Sequence, residues 1–548
     1  MPNYDIIIIH PPAHYDFRTR PLFPGALGRT VESLQFTKVP IGMLSLAEYQ
    51  DRHGFKVMID NIGDRMVTTP EFDVVQHLRS MSASIFGIGL HFQQHIPGAI
   101  ELARLLKTCH PHTPVILGGL TATCFHEEIL EKYECVDAVV RGEGEKPLLA
   151  LLRDYEKKGK VSATPSVTVR EPSGEISVAP LMEASQSLDE FEFTRFDLIE
   201  PRTSIYPADS VHRWSLEVCR GCIYNCSICG GSAYAYRKYL GMKKPAFRSP
   251  AKIAADMKKL NDQQIRFIGL FQDMRMGGQA YWQELIQILK KEKPEIDRLS
   301  LDILAPADES FIRDIAGIGR QLILHFCPDT GSDRVRRRLG RHYSNEEILN
   351  TIKTCHRYQI PVTNFFSVGL ADETEEEMQE TWHLWARLDQ IDHQARLQGT
   401  FGDIDSSVPI GGQILGPIVL DPGSKAFDAP EKHGFKLLYD SFEACHKALS
   451  LPSWHQWLNY ETEQRDKSAI REMIFQSIEF TIDQREMHGF FGSQEAYYER
   501  CKVEAERVIS NEIDRLMDLD NQQERDLRIV MMRRNLDKLE KRRMVFLE

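Results

Sequence analysis

Residues 219–231 read Cys-Arg-Gly-Cys-Ile-Tyr-Asn-Cys-Ser-Ile-Cys-Gly-Gly and hold four of the chain's eleven cysteines. Three of them, Cys222, Cys226 and Cys229, follow a C-x3-C-x2-C spacing. A short loop with this spacing can direct three thiolates at one small cluster, and thiolates are the usual protein ligands of iron–sulfur clusters. Because a cubane cluster takes one ligand at each iron, three cysteines leave one iron open. An open coordination position is typical of a reactive site rather than a structural one.

Other interpretations of the loop are weaker. With Cys219 included it reads C-x2-C-x3-C-x2-C, which could hold a tetrahedral zinc ion. Structural zinc sites normally divide their ligands into two pairs separated by a longer loop, and this loop is more compact. A disulfide framework is disfavoured because the chain is long and shows no secretory signal.

The loop resembles the cluster loop of radical S-adenosylmethionine (SAM) enzymes, including its Arg220-Gly221 before the first ligand and its Gly230-Gly231 after the last. The resemblance implies that Cys222, Cys226 and Cys229 bind a [4Fe-4S] cluster whose open iron is chelated by SAM.

Two positions beside these ligands are implied to contact SAM, Gly230 and Ile228. The position of Ile228, which lies by the adenine in the family, is usually aromatic there. A small hydroxyl residue is common at the position of Cys219. The resemblance therefore leaves open whether Cys219 is a spare thiol, a catalytic group or a fourth ligand.

Length and composition indicate a multidomain globular protein. The chain has 548 residues, 42% of them hydrophobic and 27% charged, which is too long for a single core and predicts two or three domains. Its formal net charge of −12 argues against a nucleic-acid partner. We find no apolar run long enough to span a membrane and no basic signal region before the first strand, so we expect a cytoplasmic protein.

The first 160 residues alternate predicted strands and helices. Tyr4 to His10 is a continuous apolar run stopped by Pro11 and Pro12, as expected of a strand buried on both faces of a parallel sheet. The pattern predicts a doubly wound, Rossmann-like α/β domain over 1–160. In such sheets ligands bind beyond the carboxyl ends of the strands.

The order of motifs in this domain resembles the cobalamin-binding domain that precedes many radical SAM enzymes. The motifs are Asp-Ile-Ile-Ile-Ile-His-Pro-Pro at 5–12, Pro-Ile-Gly at 40–42, Gly-Gly-Leu-Thr-Ala-Thr at 118–123 and Val-Val-Arg-Gly-Glu-Gly-Glu at 139–145. The resemblance implies cobalamin contacts at Pro40, Gly42, His91, Gly118, Gly119, Thr121, Gly142 and Glu143.

The lower axial ligand of cobalt stays open. Residues 60–64 lack the histidine of the Asp-x-His-x-x-Gly motif that mutase-type cobalamin domains use. His91 and His95 follow the third predicted strand and could approach the corrin, or they could be ordinary loop or helix-cap residues.

Three further regions follow. We predict a linker with a small hairpin over 161–205 and, from repeated strand–helix units, a partial (β/α) barrel over 206–400. This is the barrel of the radical SAM family, whose active residues lie at the carboxyl ends of the strands. The pattern loosens from Ile404. We predict that 401–548 is mostly helical, covers the barrel mouth and selects the substrate.

Within the barrel, the stretch 327–333 together with 337–341 resembles the family's Glu-Ser-Gly-Ser strand end. Asp329 takes the place of the glutamate, which implies that Asp329 and Ser332 contact SAM; a plain turn aspartate is the alternative. Asp273 and Arg275 also follow a predicted strand and are candidate SAM contacts, or else surface residues at the loop rim. Glu373 lies in a segment similar to the family's Gly-Leu-Pro-x-Glu-Thr, which we expect to shape a loop and cap a helix.

These resemblances imply a cobalamin-dependent radical SAM enzyme. The expected reaction is methylation of an unactivated carbon, or a phosphinate phosphorus, of a small molecule, through a 5′-deoxyadenosyl radical and methylcobalamin. An external flavodoxin- or ferredoxin-type electron donor is implied, with no nucleic-acid or membrane partner. Two alternatives stay open: a rearrangement or cyclisation with the same cofactors, and a non-catalytic iron–sulfur or cobalamin sensor.

Overall fold

The computed structural model describes residues 2–23, 31–207, 212–402, 411–517, 519 and 521–547. For residues 34, 413–415, 537 and 539–547 it describes the backbone only. Ile404, where the sequence pattern loosens, lies outside the described residues.

The N-terminal domain is a sheet with helices on both faces. Its strands are β1 (Tyr4–His10), β2 (Val57–Asn61), β3 (Ala83–Gly89), β4 (Val115–Gly118), β5 (Ala138–Val140), β6 (Val167–Arg170), β7 (Ile176–Val178) and β8 (Ile199–Glu200). Its helices are α1 (Ile41–Arg52), α2 (Ile62–Thr68), α3 (Val74–Ser80), α4 (Ile96–Cys109), α5 (Leu120–Cys124), α6 (His126–Lys132) and α7 (Glu145–Lys158). In the described part of the chain the strand order is β7-β6-β5-β4-β3-β1-β2-β8.

The apolar run in β1 explains why this sheet is covered on both sides. Ile6 and Ile8 belong to the core shared with the barrel, whereas Ile7 and Ile9 belong to the core around α4. Successive side chains of a strand point to opposite faces, so both faces must be buried. The predicted doubly wound α/β domain is confirmed.

The small hairpin predicted within 161–205 is present as β6 and β7, but it is part of the N-terminal sheet rather than a separate linker. In this segment β6 pairs antiparallel with β5, β7 pairs antiparallel with β6, and β8 pairs parallel with β2. These strands extend the N-terminal sheet at both edges because an unpaired edge leaves backbone groups without hydrogen bonds.

The central domain is a partial parallel barrel. Its strands and the short ribbon beside the cysteine loop are β9 (Arg213–Glu217), β10 (Cys219–Arg220), β11 (Ala246–Phe247), β12 (Phe267–Phe271), β13 (Arg298–Ile303), β14 (Gln321–Asp329), β15 (Val362–Val368) and β16 (Gly411–Pro417). Its helices are α8 (Ala233–Tyr239), α9 (Pro250–Asp262), α10 (Gln279–Glu292), α11 (Glu309–Ile315), α12 (Asp333–Arg338), α13 (Asn345–Arg357) and α14 (Glu375–Leu397). Within the described residues the barrel order is β16-β15-β14-β13-β12-β9, and every neighbouring pair is parallel.

The barrel strands alternate between two environments. In β13, Leu299, Leu301 and Ile303 are buried in the core with the surrounding helices, whereas Ser300 and Asp302 are only partly buried. The second set therefore faces the barrel interior, whose wall is polar. This arrangement confirms the predicted partial barrel.

The C-terminal region joins the two domains. Its elements are α15 (Lys425–Asp428), β17 (Phe435–Leu437), α16 (Phe442–Leu449), β18 (Tyr460–Thr462), α17 (Lys467–Met487), α18 (Ser493–Met517) and α19 (Gln522–Leu547). Phe442, Cys445 and Leu449 of α16 pack into the N-terminal core, and α17 packs on β15, β16 and α14. Among the described helices, none is long and apolar enough to cross a membrane.

Candidate active site

The carboxyl edges of the two sheets face each other, and Arg220 joins them. Its guanidinium lies 2.9 Å from Glu143 and 3.1 Å from Glu145, which follow β5 in the N-terminal domain. It also lies 3.1 Å from Glu217 at the end of β9 in the barrel. The N-terminal edge and the cysteine loop therefore border one space between the domains.

The charges around Arg220 are strongly coupled. Burial opposes its charge, but Glu145, Glu217 and Glu143 raise the pKa of Arg220 well above its ordinary value. Burial, with repulsion from Glu145, raises the pKa of Glu143, while Arg220 lowers it. The guanidinium stays charged and neutralises part of the surrounding carboxylate charge.

The cysteine loop is fixed by its backbone. The N–H of Tyr224 donates to Cys222 Sγ at 3.3 Å, and the N–H of Gly231 donates to Cys229 Sγ at 3.3 Å. Ser227 N donates to Leu339 O at 2.9 Å, which docks the loop on the segment after α12. Backbone N–H groups aimed at sulfur suit thiolate ligands, because hydrogen bonds to sulfur are among the levers that tune an iron–sulfur cluster.

The loop does not form a site for a single metal ion. In the parts of the chain that the structure covers, no three His, Cys, Asp or Glu side chains are arranged to hold one. Cys219 is buried beneath the loop, where its thiol donates to Gly221 O at 3.7 Å. A cluster brings its own irons and sulfides and so accepts more widely spaced thiolates than zinc does. The three remaining cysteines fit a cluster better than a four-cysteine zinc site.

Cys229 lies on the exposed side of the cysteine loop. Its residue is exposed to solvent, yet burial by surrounding protein raises the pKa of its thiol to about 12. A side chain that is both accessible and surrounded lies on the wall of a concave space. An iron bound at this loop would therefore face the space between the domains.

Asp329 is the predicted SAM contact that fits a ligand best. It ends β14 with a φ of +63°, and its Oδ2 lies 2.9 Å from Arg341 Nη2. Despite that distance, Oδ2 accepts no aligned hydrogen bond from the described residues. Burial raises the pKa of Asp329, while Arg341 and Arg336 lower it. The side chain keeps 13% of its surface exposed, so the charged carboxylate can still accept a hydrogen bond from a hydroxyl or ammonium group such as SAM carries.

Three other predicted SAM contacts are occupied by protein groups. The Asp273 carboxylate binds the Arg275 guanidinium at 2.6 Å and accepts from Leu304 N at 2.9 Å. Arg275 also donates to Ala305 O and Pro306 O, so this pair braces the loops after β12 and β13. Ser332 caps α12, and its hydroxyl donates to Glu377 at 3.0 Å.

Gly230 contacts a carboxylate that the sequence analysis did not select. Its N–H donates to Asp421 Oδ2 at 3.2 Å, and a Cβ at Gly230 would lie 2.7 Å from the Asp421 Cβ. Burial raises the pKa of Asp421 to about 6, and the Gly230 hydrogen bond lowers it. The sequence signal that could have identified Asp421 is the Asp-Pro-Gly-Ser turn at 421–424, which follows the last barrel strand. Ile228 packs nearby against the cluster of Leu420 and Tyr460.

The turns of the N-terminal edge are shaped by close backbone approach. Gly119 has a φ of +112°, and a Cβ there would lie 2.6 Å from Leu90 O. Thr121 Oγ1 donates to His91 O at 2.9 Å and so ties the turn after β4 to that after β3. Gly118 precedes this turn at the end of β4.

The other predicted cobalamin contacts fall into two groups. Pro40 and Gly42 lie at the start of α1, and a Cβ at Gly42 would meet no atom of the described residues within 4 Å. Gly142 donates its N–H to Thr123 Oγ1, while Glu143 is held by Arg220 and by Ser185 N. Gly42 thus borders open space. Glu143 is instead bound by Arg220 in the ion pairs that link the two domains.

Exposed apolar groups line this edge. Phe36 and Phe92 are exposed and pack edge-on or tilted against the buried His95. His91 is exposed, yet burial and, secondarily, the Arg220 charge lower its pKa to about 4. His95 Nε2 finds no partner among the described residues. Accessible aromatic faces of this kind suit a large cofactor that is apolar over much of its surface.

Two family models match the chain where these edges lie. The B12 binding domain model matches residues 30–152, and the Radical SAM superfamily model matches residues 216–384. Fold and site therefore define a radical SAM enzyme with a cobalamin-binding domain.

Three similar proteins agree with this class. An uncharacterized methyltransferase of Pyrococcus horikoshii is 22% identical over 64% of this chain and 74% of its own length. The radical SAM methyltransferase TsrM of Kitasatospora setae, solved with tryptophan and a SAM analogue, has a TM-score of 0.57 at 15% identity, covering 79% of this chain and 78% of that one. The cobalamin-dependent radical enzyme OxsB has a TM-score of 0.59 at 13% identity, covering 99% and 80%.

Two further curated relatives match over less than half of their own length, 42% and 34%. The structural likenesses show the fold. The chain belongs to the cobalamin-dependent radical SAM enzymes, whose cofactors are a [4Fe-4S] cluster, SAM and cobalamin.

Proposed function

We propose that this enzyme methylates an unactivated carbon, or a phosphinate phosphorus, of a small molecule bound between the two strand edges. The observation that carries the proposal is the Arg220 link, which holds the cobalamin-binding edge and the cysteine loop against one space. The methyltransferase relatives support the reaction type. When bound at these sites, the cluster and SAM would allow a hydrogen atom to be abstracted from an unreactive position of the substrate, and cobalamin would supply the methyl group.

On the barrel side, we assign Cys222, Cys226 and Cys229 as the cluster ligands. The Asp329 carboxylate, which is paired with Arg341 and keeps 13% of its side chain exposed, accepts a hydrogen bond from SAM. Gly230 lines the same site, where Asp421 fixes its N–H. Asp273 and Arg275 act by holding the loops that surround the ligand, because every strong hydrogen bond they make is internal to the protein.

On the N-terminal side, the turns at Gly118, Gly119 and Thr121 form a backbone cradle, and Gly42 leaves room for the corrin ring system. Phe36 and Phe92 provide apolar contacts that exclude water from the space. Exclusion of water strengthens electrostatic interactions inside a site and prevents side reactions of reactive groups.

The test begins with protein purified and reconstituted without oxygen, with iron, sulfide and cobalamin measured. A small-molecule extract is then incubated with the enzyme, a reductant and SAM carrying an isotopically labelled methyl group. We expect 5′-deoxyadenosine and a product that is heavier by one labelled methyl group. A product with no added methyl group would indicate a rearrangement or cyclisation instead. Binding of zinc without iron would overturn the cofactor assignment.

A further inference from the structure

One level of the barrel interior carries side chains that the cofactor sites do not use. The strand register places Glu217 beside Phe271, and Asp302 beside His325 and then Thr363. Leu270 pairs with Leu301, so Phe271 and Asp302 are also at the same level. We call these five residues the upper layer.

Three members of the upper layer border open space, whereas Thr363 is buried. Phe271 is 54% exposed, and the side chains of His325 and Asp302 are 39% and 30% exposed. One layer deeper, Ser215, Gly269 and Ser300 face the same interior and are also partly exposed, although a Cβ at Gly269 would lie 2.8 Å from the Ser215 hydroxyl and 3.3 Å from the Ser300 hydroxyl. A molecule entering between the domains therefore meets the upper layer before it reaches these deeper positions.

Asp302 and His325 form an oriented pair in this layer. The N–H of Gln272 donates to Asp302 Oδ2 at 3.1 Å, which fixes the carboxylate. Asp302 Oδ1 then lies 3.7 Å from His325 Nδ1. Phe365 packs edge-on to the His325 ring, with centroids 6.0 Å apart. His325 Nε2 makes no hydrogen bond to the residues the structure describes, which leaves it available to a ligand.

The charged side chains of the upper layer favour a cationic or neutral ligand over an anionic one. Its two carboxylates belong to Glu217 and Asp302, and its single basic side chain is His325. Arg220, the nearest cation at Glu217, is already bound by three carboxylates. An anionic group at this layer would meet carboxylates without a free cation, whereas an ammonium or hydroxyl group would meet acceptors.

We propose that the upper layer is the substrate-binding floor of the enzyme. It takes a small molecule with an apolar ring or chain packed on Phe271 and an amine or hydroxyl group hydrogen-bonded to the Asp302–His325 pair, and it rejects anions. The inference rests on the proposed function, because it names the class of substrate for that same cavity.

The proposal can be tested without the natural substrate. Phenethylamine and phenylacetate share a phenyl ring and differ in the sign of their charge, so they are matched probes. Their dissociation constants are measured by calorimetry on the anaerobic, cofactor-loaded enzyme. We expect phenethylamine to bind at least tenfold more tightly. We expect D302N to reduce this preference below threefold, H325Q to weaken phenethylamine, and F271A to weaken both probes.

Asp297→Asn is the control, because Asp297 lies at the opposite end of β13 and pairs with Arg320 there. It should leave both constants unchanged. Equal binding of the two probes to the wild type, or a preference that survives in D302N, would overturn the proposal. The two hypotheses fail separately: methylation without probe preference rejects the substrate floor, and probe preference without a methylated product rejects the proposed reaction.

Discussion

The two strand edges that face each other are built differently. The N-terminal edge offers backbone turns shaped by Gly119 and exposed rings such as Phe92. The barrel edge offers reactive side chains: the cysteine loop, Asp329 and the Asp302–His325 pair. A large cofactor can be held by shape over a wide surface, whereas a cluster or a charged small ligand requires particular atoms. The first kind of site leaves a diffuse sequence signal and the second a compact one.

The largest expected effect comes from removing the side chains that the barrel edge depends on. A Cys222/Cys226/Cys229 triple alanine variant should lose essentially all bound iron, because none of the three assigned thiolate ligands remains. Cobalamin content should stay near the wild-type level, since its binding depends on the other edge. Iron, sulfide and cobalamin are measured on the same preparation.

The control for this variant is Cys219→Ala. This thiol is buried and bonded to Gly221 O, so its removal should leave the iron content unchanged. Loss of iron in Cys219→Ala would show that the fourth cysteine is a ligand.

The next effect tests the N-terminal edge. In Gly119→Ala the new Cβ would lie 2.6 Å from Leu90 O and 2.7 Å from His91 N, so the turns after β3 and β4 must separate. We expect bound cobalamin to fall at least tenfold while iron is retained. Gly54→Ala is the matched control, because Gly54 also has a positive φ but has nothing within 4 Å of a Cβ. Equal loss in both variants would mean that backbone strain, not the cradle, is responsible.

The difference between a compact and a diffuse sequence signal explains which features could be predicted from the sequence. Strand runs and the cysteine spacing predicted both domains and the cluster loop, because these signals are local. The roles of Asp273 and Arg275 were not predictable, since position after a strand does not reveal that they bind each other. Asp421 was missed because it meets Gly230 from nearly two hundred residues away. The hairpin within 161–205 was predicted, but its pairing with β5 and the short strand β8 were not, because they complete a sheet whose other strands precede them.

A smaller effect tests the link between the edges. Arg220→Met leaves three carboxylates without their cation and should lower the free energy of unfolding by about 3–5 kcal/mol. Denaturant titration of the cofactor-free protein measures this. Arg195→Met is the control, because the Arg195 side chain is well exposed and its ion pairs should contribute no more than about 1 kcal/mol. Similar losses in the two variants would argue that Arg220 does not hold the domains together.

The smallest effect depends on pH and lies in the loop between β15 and α14. Glu373 is buried, and neither of its carboxylate oxygens accepts a well-aligned hydrogen bond from the described residues. Burial raises the pKa of Glu373 to about 7, although Arg465 and the nearby backbone N–H groups of Leu370 and Gly369 lower it. The folded state therefore holds a proton that the unfolded state releases near the ordinary carboxyl pKa, and stability falls as pH rises from about 4.5 to 7.

Glu373→Gln removes this dependence because an amide does not ionise. The variant should match the wild type at pH 5 and exceed it at pH 8 by about 3 kcal/mol or less. Unfolding midpoints at the two pH values measure the difference, and Glu346→Gln, at an exposed glutamate of α13, should not alter it. A parallel pH response of wild type and Glu373→Gln would mean that the Glu373 carboxylate is ionised and paired. The loop after β15 would then have to admit water to the Glu373 carboxylate.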